Sequence, residues 1–526
     1  MTAALVVTFL LLSPPQMQMD HGAGKNPPPK LRSGLGKVHH PVSTSNRTAQ
    51  SFFNQGLALT YGFNHHAALR CFEEAARLDP QLAMAHWGIA YAMGPNINMP
   101  IDPDTCKQAY AEVQKAIALK AHASPAEVAM IDALALRYSG DDKPDFEKLN
   151  KAYAAAMKEV AKQYPSDLNI QALYAESLMD LRPWRYWNSD GTPAEDTEEI
   201  VAVLQGVLKK DPNHIAANHF LIHAVEASPH PELALESARR LETLAPESGH
   251  LVHMPSHIYI RTGDWVKGVE SNDAAIKVDK SFLKHTPDPG VYPMYYVHNY
   301  DMLRSAADMQ GNYMRSIWAA QNVADKAATM GPMGEPLGIV PILTQIRFRK
   351  WDQLLIQPQP KTSLPFAQAV WRLGRGMAMA AQGGDKADAE FALYREERDK
   401  VPAEFTWGLG PASKVLAVFN GLAEASLARL KGDASAEVSA LKKAVAAYDE
   451  VGYDEPPDVF YPVRESFGGA LLRSKRYAEA EAVFREDLKR HPNSGRDLFG
   501  IWKALEGAGK AEEAEAAKRE YQKSWL

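Results

Sequence analysis

Residues 49–80 read AQSFFNQGLALTYGFNHHAALRCFEEAARLDP, and this stretch decides the fold. Apolar residues recur at intervals of three and four on both sides of a break at 61–64, a spacing that predicts two helices. Gly56 is small enough to let the helices approach closely, and Phe72 is large enough to fill the gap between them. Pro80 ends the second helix because proline has no N–H to donate. The stretch therefore predicts a helix–turn–helix unit.

The same order of small, aromatic and proline residues recurs along the chain. The clearest later copy is YPVRESFGGALLRSKRYAEAEAVFREDLKRHP at 461–492, with Gly468, Phe484 and Pro492 in the matching places. This pattern resembles the tetratricopeptide repeat, a helix–turn–helix unit of about 34 residues. Other copies begin near Ala83, Asp167, Ile215, Gly249, Val297, Val370 and Pro411.

One helix pair cannot bury its apolar face alone, so neighbouring pairs stack into a continuous solenoid. No convincing strand pattern appears between the helices. We therefore predict an all-α fold, an α-solenoid of tetratricopeptide-like repeats, in two blocks at 49–345 and 346–526. Such repeats serve many roles, so the fold leaves the function open.

The bulk composition excludes several classes of protein. With 526 residues the chain is too long for one ordinary core, and its net charge of -6 gives no basic footprint for nucleic acid. The two cysteines form neither a CxxC motif nor a disulfide framework. GxSxG, GxxxxGK[ST] and strand-linked GxGxxG motifs are missing from the sequence, so serine hydrolysis and phosphate-loop chemistry are not supported.

The N-terminal residues predict export. The run AALVVTFLLL at 3–12 is too short to span a bilayer and resembles the apolar core of a secretory signal, although no Lys or Arg precedes it. We expect 1–25 to be a signal-like segment and 26–48 a mobile Pro/Gly-rich lead-in, which places the protein outside the cytoplasm, in a bacterial periplasm. No other segment is long and apolar enough to cross a membrane.

Histidines gather in one part of the chain. The segment GHLVHMPSHIYIRTGDW, at 249–265, carries three, at spacings of three and four, which places them on one helix face. The resemblance implies that the first helix of each repeat lines a concave groove, with its second, fifth, ninth and twelfth positions facing the ligand. Counted in this way, histidines of three consecutive units point to one groove: His219, His223, His250, His253, His257 and His298.

Six converging imidazoles favour a metal centre. Histidines at i and i+4, or i and i+3, can bind one ion, and without thiolates the site suits copper, zinc, iron or nickel. Three imidazoles at each of two ions would suit a coupled copper pair that handles oxygen, so copper is favoured over iron or zinc. Glu226 would act as a general base, as a carboxylate that orients a ligand imidazole, or as a ligand that shifts the preference to iron or manganese. The alternatives to a metal centre are a groove that binds an anionic ligand or peptide, and a structural polar cluster.

The repeat near Asp167 departs from the pattern through an insertion. Its first helix presents two carboxylates four residues apart, and the following loop adds arginines and aromatic rings that would form the wall of a substrate pocket. A loop that only covers the edge of the solenoid is the equal alternative. The weak candidates for substrate binding are Glu176, Asp180, Trp184, Arg185 and Trp187.

These observations predict a metal-binding repeat protein, with a copper or iron oxidoreductase as the first hypothesis. A scaffold that binds proteins or peptides without catalysis is the alternative, followed by a metal carrier and a zinc hydrolase that activates water with the same ligands. The groove would receive a small molecule or a peptide. The sequence does not name the substrate, the metal or the oligomeric state.

Overall fold

The computed structural model describes residues 28–286 and 289–524, and these residues form helix pairs joined by short turns. The predicted signal-like segment at 1–25 and the first two residues of the lead-in lie outside the described residues. The chain divides into two compact units, an N-terminal unit (28–258 and 273–296) and a C-terminal unit (259–272 and 297–524). The boundary predicted at 345/346 falls inside the C-terminal unit.

The N-terminal unit contains these α-helices: α1 (Arg47–Tyr61), α2 (His65–Leu78), α3 (Ala83–Met93), α4 (Pro103–Ala118), α5 (Pro125–Ala135), α6 (Phe146–Gln163), α7 (Leu168–Met179), α8 (Thr197–Lys210), α9 (Ile215–Val225), α10 (Leu235–Leu244) and α11 (Gly249–His253). Short 3₁₀ helices lie at Lys120–His122 and Pro231–Ala234. Three helices contribute residues to both units: α12 (Pro255–Thr262), α13 (Trp265–His285) and α14 (Pro293–Met309).

The C-terminal unit continues with α15 (Tyr313–Ala327), α16 (Val340–Arg347), α17 (Trp351–Ile356), α18 (Pro365–Ala381), α19 (Ala387–Arg398), α20 (Ala412–Leu430), α21 (Ala434–Asp449), α22 (Val463–Arg473), α23 (Tyr477–Arg490), α24 (Gly495–Gly507) and α25 (Ala511–Ser524), with 3₁₀ helices at Ala328–Met333 and Glu335–Ile339. One small departure from the all-α prediction is an antiparallel hairpin of β1 (Thr406–Trp407) and β2 (Gly410–Pro411).

An aromatic ring between two glycines sets the spacing of the helices. The Phe72 ring on α2 lies against Gly56 of α1 and Gly88 of α3, where an added Cβ would lie 2.6 Å and 2.4 Å from the ring. Phe484 on α23 has the same place between two glycines of α22 and α24, which are 32 positions apart as in the first pair. This packing confirms the predicted all-α fold of tetratricopeptide-like helix pairs.

The predicted lead-in is packed where the structure describes it. The Arg32 N–H donates to the Gln55 side chain at 2.7 Å, and the Gly34 carbonyl accepts from the Glu247 N–H at 2.9 Å. Leu35 is buried. Residues 28–46 therefore differ from the expectation of a mobile segment, because backbone groups and an apolar side chain find partners on the N-terminal unit.

Candidate metal centre

Helix α9 carries the first two histidines and the acid that follows them. His219 and His223 are four residues apart and share one face, and Glu226 caps the C-terminal end of the helix, where its N–H donates to the Ile222 carbonyl at 2.9 Å. At the N-terminal end the His214 imidazole accepts from the Ala217 N–H at 3.3 Å. A capped helix of this length holds its side chains in fixed directions.

The next three histidines lie on two short helices in place of the single predicted one. Pro255 has no N–H to donate, so α11 ends at His253 and α12 begins at Pro255. Met254 between them keeps helical dihedral angles (φ -51°, ψ -36°). The helical path therefore continues through the break, and His250, His253 and His257 stay on one side.

These five histidines are buried, which corrects the prediction that they line an open groove. Their side chains belong to residues that are 0–2% exposed. Rings from other parts of the N-terminal unit cover them: Phe63 lies 4.5 Å from His219 between ring centroids, Tyr295 lies 4.8 Å from His250, and Trp184 lies 5.6 Å from His223. The open concave face that the repeat pattern implied is closed at this position.

Three of the imidazoles come together as a set. His219, His223 and His250 each offer one ring nitrogen, and the three nitrogens lie within 4.8 Å of one another. The Nε2 atoms of His219 and His250 are 3.1 Å apart. Nitrogen ligands at about 2.0–2.1 Å from one ion lie about 3.3 Å from each other, so small side-chain shifts would complete a three-imidazole site.

Hydrogen bonds to the Nδ1 atoms of the imidazole rings determine which ring nitrogen carries the proton and which is left to bind a metal. The Tyr61 carbonyl can only accept, so His219 donates to it from Nδ1 at 2.7 Å and keeps a lone pair on Nε2. Glu226 accepts from Nδ1 of His223 at 2.8 Å with one oxygen and from Nδ1 of His257 with the other. His219, His223 and His257 therefore each direct an unprotonated Nε2 away from the anchor, and for His219 and His223 this is the tautomer that a metal ligand requires.

His253 and His257 form a second close pair. Their Nε2 atoms are 2.6 Å apart, and Nδ1 of His253 lies 3.4 Å from the Ser256 hydroxyl. His257 uses its Nε2 lone pair in this contact because its Nδ1 proton faces Glu226. The carboxylate thus links the three-histidine set to the pair.

The protonation states suit ligation. Burial, together with the neighbouring imidazole of His223, holds the pKa of His219 well below its usual range. Burial and the neighbouring histidines lower the pKa of His250 in the same way. Both rings are neutral near pH 7, so neither has to lose a proton before it binds a cation.

The remaining predicted site residues lie on other elements of the chain. His298 lies on α14 in the C-terminal unit and is half-buried. Trp184 contacts His223 as described, and the Trp187 indole donates to the Ala224 carbonyl at 2.8 Å. Arg185 is exposed. Within the N-terminal unit the inserted loop therefore packs on the end of α9 and brings one of its aromatic rings to the histidines.

Glu176 and Asp180 face an arginine that the sequence did not suggest. Arg137, which follows α5, forms an ion pair with Asp180, and all three residues are at most 6% exposed. Burial and the neighbouring Glu176 raise the pKa of Asp180 well above its usual range. These carboxylates belong to a buried polar network and do not line an open pocket wall.

Sequence reasoning missed Phe63 and Tyr295, which pack on the imidazoles. Phe63 lies in the turn between α1 and α2 with a positive φ of 54°, a conformation that is rare for an aromatic residue. Its position in the turn sequence YGFN, where glycine is expected, is the only signal that the sequence offers. Tyr295 lies on α14, far along the chain, and nothing local marks it.

Comparisons with known proteins return distant likenesses. No protein-family model and no curated protein matches the chain. Among solved structures it is similar to the APC/C hetero-tetramer Cut9-Hcn1 (13% identity, TM-score 0.33, covering 87% of this chain and 76% of the other). It is also similar to yeast Tom70 (12%, 0.34, 90% and 97%) and to a signal-transduction ATPase with a tetratricopeptide repeat sensor from Pyrococcus horikoshii (14%, 0.38, 68% and 53%).

The chain's own helix pairs define the class of protein. Each pair in the clear copies has the small–aromatic–small packing described above, and the pairs follow one another at the repeat spacing. The protein is an α-solenoid of tetratricopeptide-type repeats. No helix among residues 28–286 and 289–524 has the length and apolar character needed to cross a membrane.

Proposed function

We propose that this protein is a metal-binding tetratricopeptide-type protein in which His219, His223 and His250 hold a transition-metal ion. One observation carries the proposal: three buried imidazole nitrogens lie within 4.8 Å of one another. Three imidazole nitrogens at this separation match the ligand set that a transition-metal ion takes.

Among the three roles considered for Glu226, its contacts favour the one in which the carboxylate orients ligand imidazoles. Both carboxylate oxygens accept from imidazole Nδ1 atoms, an arrangement that favours orientation of the rings over proton transfer or ligation by Glu226. This leaves an all-imidazole set, which suits copper or zinc better than iron or manganese. We therefore keep copper as the first choice, with iron and zinc behind it.

Oxidoreductase chemistry is the reaction class we propose for the centre. A zinc hydrolase needs a base beside the metal-bound water, and within the N-terminal unit Glu226, the carboxylate that contacts the three-histidine set, already accepts from two imidazoles. A redox ion with imidazole ligands needs no such base. A carrier that binds the metal without turnover uses the same ligands and differs only in the absence of a reaction.

A scaffold that binds proteins or peptides is the alternative, and the fold by itself favours it. Stacked repeats of this kind present extended surfaces to partners, and no catalytic ion is needed for that role. The burial of the histidines argues against their use in peptide binding, because a peptide reaches only exposed side chains. We also retain export to the periplasm as a proposal, which rests on the apolar run at residues 3–12.

Metal analysis of purified protein tests the proposal. Protein incubated separately with Cu²⁺, Zn²⁺ and Fe²⁺ and then desalted is expected to retain one equivalent of metal, with Cu²⁺ bound most tightly. The double variant His219→Gln, His250→Gln is expected to retain less than a tenth of that amount. His230→Gln is the matched control, since that histidine is exposed on the same unit and pairs only with Glu232.

Circular dichroism shows whether the double variant is folded. If it is unfolded, the single variant His223→Gln takes its place. Metal that the control and the variants retain equally would overturn the assignment of these ligands. Retention of no ion by folded wild-type protein would leave the scaffold alternative. If copper is retained, oxygen consumption by the copper-loaded protein separates an oxidase from a carrier.

A further inference from the structure

A small cavity lies beside the histidines within the N-terminal unit. Its volume is about 80 Å³, and it is bordered by α2, the C-terminal end of α3, the loop that leads to α4, and the start of α14. Phe63 and Tyr295 are among its lining residues. The same two residues pack on the imidazoles, with ring centroids 5.2 Å and 4.8 Å from that of His250. The cavity is therefore one aromatic layer away from the three-histidine set.

The lining defines the kind of molecule that fits. Leu69, Met93 and Ile101 make most of the wall apolar, and Asn96 adds an amide. The lining residues that the structure describes include neither lysine nor arginine. Of the two lining histidines, His66 is half-buried, and burial lowers the pKa of His65 to about 4, so that His65 is uncharged near pH 7. A charged ligand would lose its hydration there without gaining a counter-charge.

The one carboxylate in the lining is already satisfied. Asp102 caps α4, where its side chain accepts from the Asp104 and Thr105 N–H groups at 2.9 Å and 3.0 Å and from the Thr105 hydroxyl at 2.6 Å. Its charge is balanced by the helix N-terminus and does not call for a cation. The cavity thus selects an uncharged guest.

Its size sets an upper limit. A cavity of about 150 Å³ in a protein interior holds benzene, with its six non-hydrogen atoms, so roughly half that volume holds about three. The amide of Asn96 offers such a molecule one hydrogen bond, although it also lies 3.4 Å from Nε2 of His65.

We propose that this cavity is the substrate pocket of the centre and that it takes an uncharged, mainly apolar molecule of about three non-hydrogen atoms. The role of the cavity as a substrate pocket rests on the proposed metal centre, whereas the ability of the cavity to bind a neutral molecule does not depend on a metal. Phe63 lies between the cavity and the three-histidine set and is the positioning residue that links them. Its positive φ places the ring against both His219 and His250, and a bulky side chain keeps this conformation only where its surroundings enforce it.

Two probes test the pocket and its link to the metal separately. Xenon is the first, applied under pressure to crystals of metal-free protein, because it reports apolar volume without any ion. Acetonitrile is the second, titrated into Co²⁺-loaded protein and followed by the visible spectrum, because it is neutral, has three non-hydrogen atoms and would press on the Phe63 ring that contacts two of the ligand imidazoles. We expect a xenon site in the cavity and a saturable spectral change.

Three variants test whether xenon and acetonitrile bind in this cavity. Ala92→Leu fills the cavity from within, and Met99→Trp narrows it from its half-buried rim, so that one variant remains if the other does not fold. Each is expected to remove the xenon and to weaken the acetonitrile response at least tenfold. Ala111→Leu adds the same bulk on the exposed face of α4 and is expected to change neither.

The outcomes separate the two proposals. Wild-type crystals without xenon in the cavity would overturn the pocket, whatever the metal content. Xenon together with bound Co²⁺ but no response to acetonitrile would overturn the link between pocket and metal. Xenon in a protein that retains no Co²⁺ would overturn the metal centre and the substrate role with it, while the pocket for a neutral guest would stand.

Discussion

Glu226 is the residue on which the arrangement of the imidazoles depends most. Its two oxygens accept from His223 and His257, which come from different helices of the N-terminal unit. A carboxylate accepts from both partners at once, whereas a neutral amide accepts with one end and donates with the other. The charge of Glu226 also favours a cation at the opposite side of the rings, so its effect on metal binding is both geometric and electrostatic.

Glu226→Gln is expected to weaken metal binding about 10–100-fold while the fold is retained. The amide NH₂ of glutamine would face one imidazole Nδ1, which would have to accept and would carry its proton on Nε2, where it blocks a metal bond. A competition titration against a chelator of known affinity measures the change. Glu232→Gln, beside the exposed His230 at 3.2 Å, is the matched control. Equal affinities of both variants would contradict the orienting role.

At the scale of the helices, the repeat is held by close contacts that tolerate little extra volume. Phe72 lies between glycines of the helices before and after its own, and a methyl group at either position would overlap the ring. Gly206 of α8 has open space around its Cβ position in the same unit. Gly88 and Gly206 both lie inside helices, so alanine substitutions at the two positions differ in the space available to the added methyl group.

Gly88→Ala is expected to lower the free energy of unfolding by about 1–3 kcal/mol, because the Cβ would meet the Phe72 ring at 2.4 Å and the packing must shift. Gly206→Ala is expected to raise it by up to about 1 kcal/mol, since alanine favours a helix and nothing opposes it there. Urea denaturation followed by circular dichroism measures both. A gain in stability for Gly88→Ala would show that the ring is not confined as described.

Helix pairs and the histidine face could be predicted from the sequence because both depend on neighbours within one repeat. Spacing of apolar residues defined the pairs, and the positions of His219 and His250 in their first helices defined the face. The closure of that face could not be predicted, because Phe63 and Tyr295 reach it from distant turns and helices. The pairing of Arg137 with Asp180 is likewise a contact between separate repeats, for which the sequence carries no local pattern.

For the whole molecule, the two units differ in the buried titratable groups that they contain. In the N-terminal unit burial lowers the pKa of His65 to about 4. In the C-terminal unit burial raises the pKa of Asp454 to about 6, and burial together with the charge of Asp454 raises that of Asp458 to about 11. The Leu409 N–H donates to Asp454 at 3.0 Å, so the acid pair stabilises the turn between β1 and β2.

His65 and the acid pair are therefore expected to contribute to the pH dependence of stability in opposite directions. A histidine with a lowered pKa binds fewer protons when folded, so the stability that His65 contributes to the N-terminal unit is lost as the pH falls from about 6.5 to about 4. An acid with a raised pKa binds more protons when folded, so the C-terminal unit loses stability as the pH rises above about 4, through 6 and beyond. Hydrogen exchange of full-length protein from pH 5 to 9, corrected for intrinsic rates, is expected to show falling protection of the Leu409 amide as the pH rises.

The variant Asp458→Asn isolates the acid pair. An asparagine amide donates to Asp454 without a titratable proton, so protection of the Leu409 amide is expected to stay nearly constant across the same range and to exceed that of the wild type at pH 8. Asp388→Asn, an exposed partner of Lys431 on the same unit, is the control and is expected to follow the wild type. Parallel pH curves for Asp458→Asn and the wild type would mean that the pair does not share a proton, and the pH response of the C-terminal unit would then have to come from other groups.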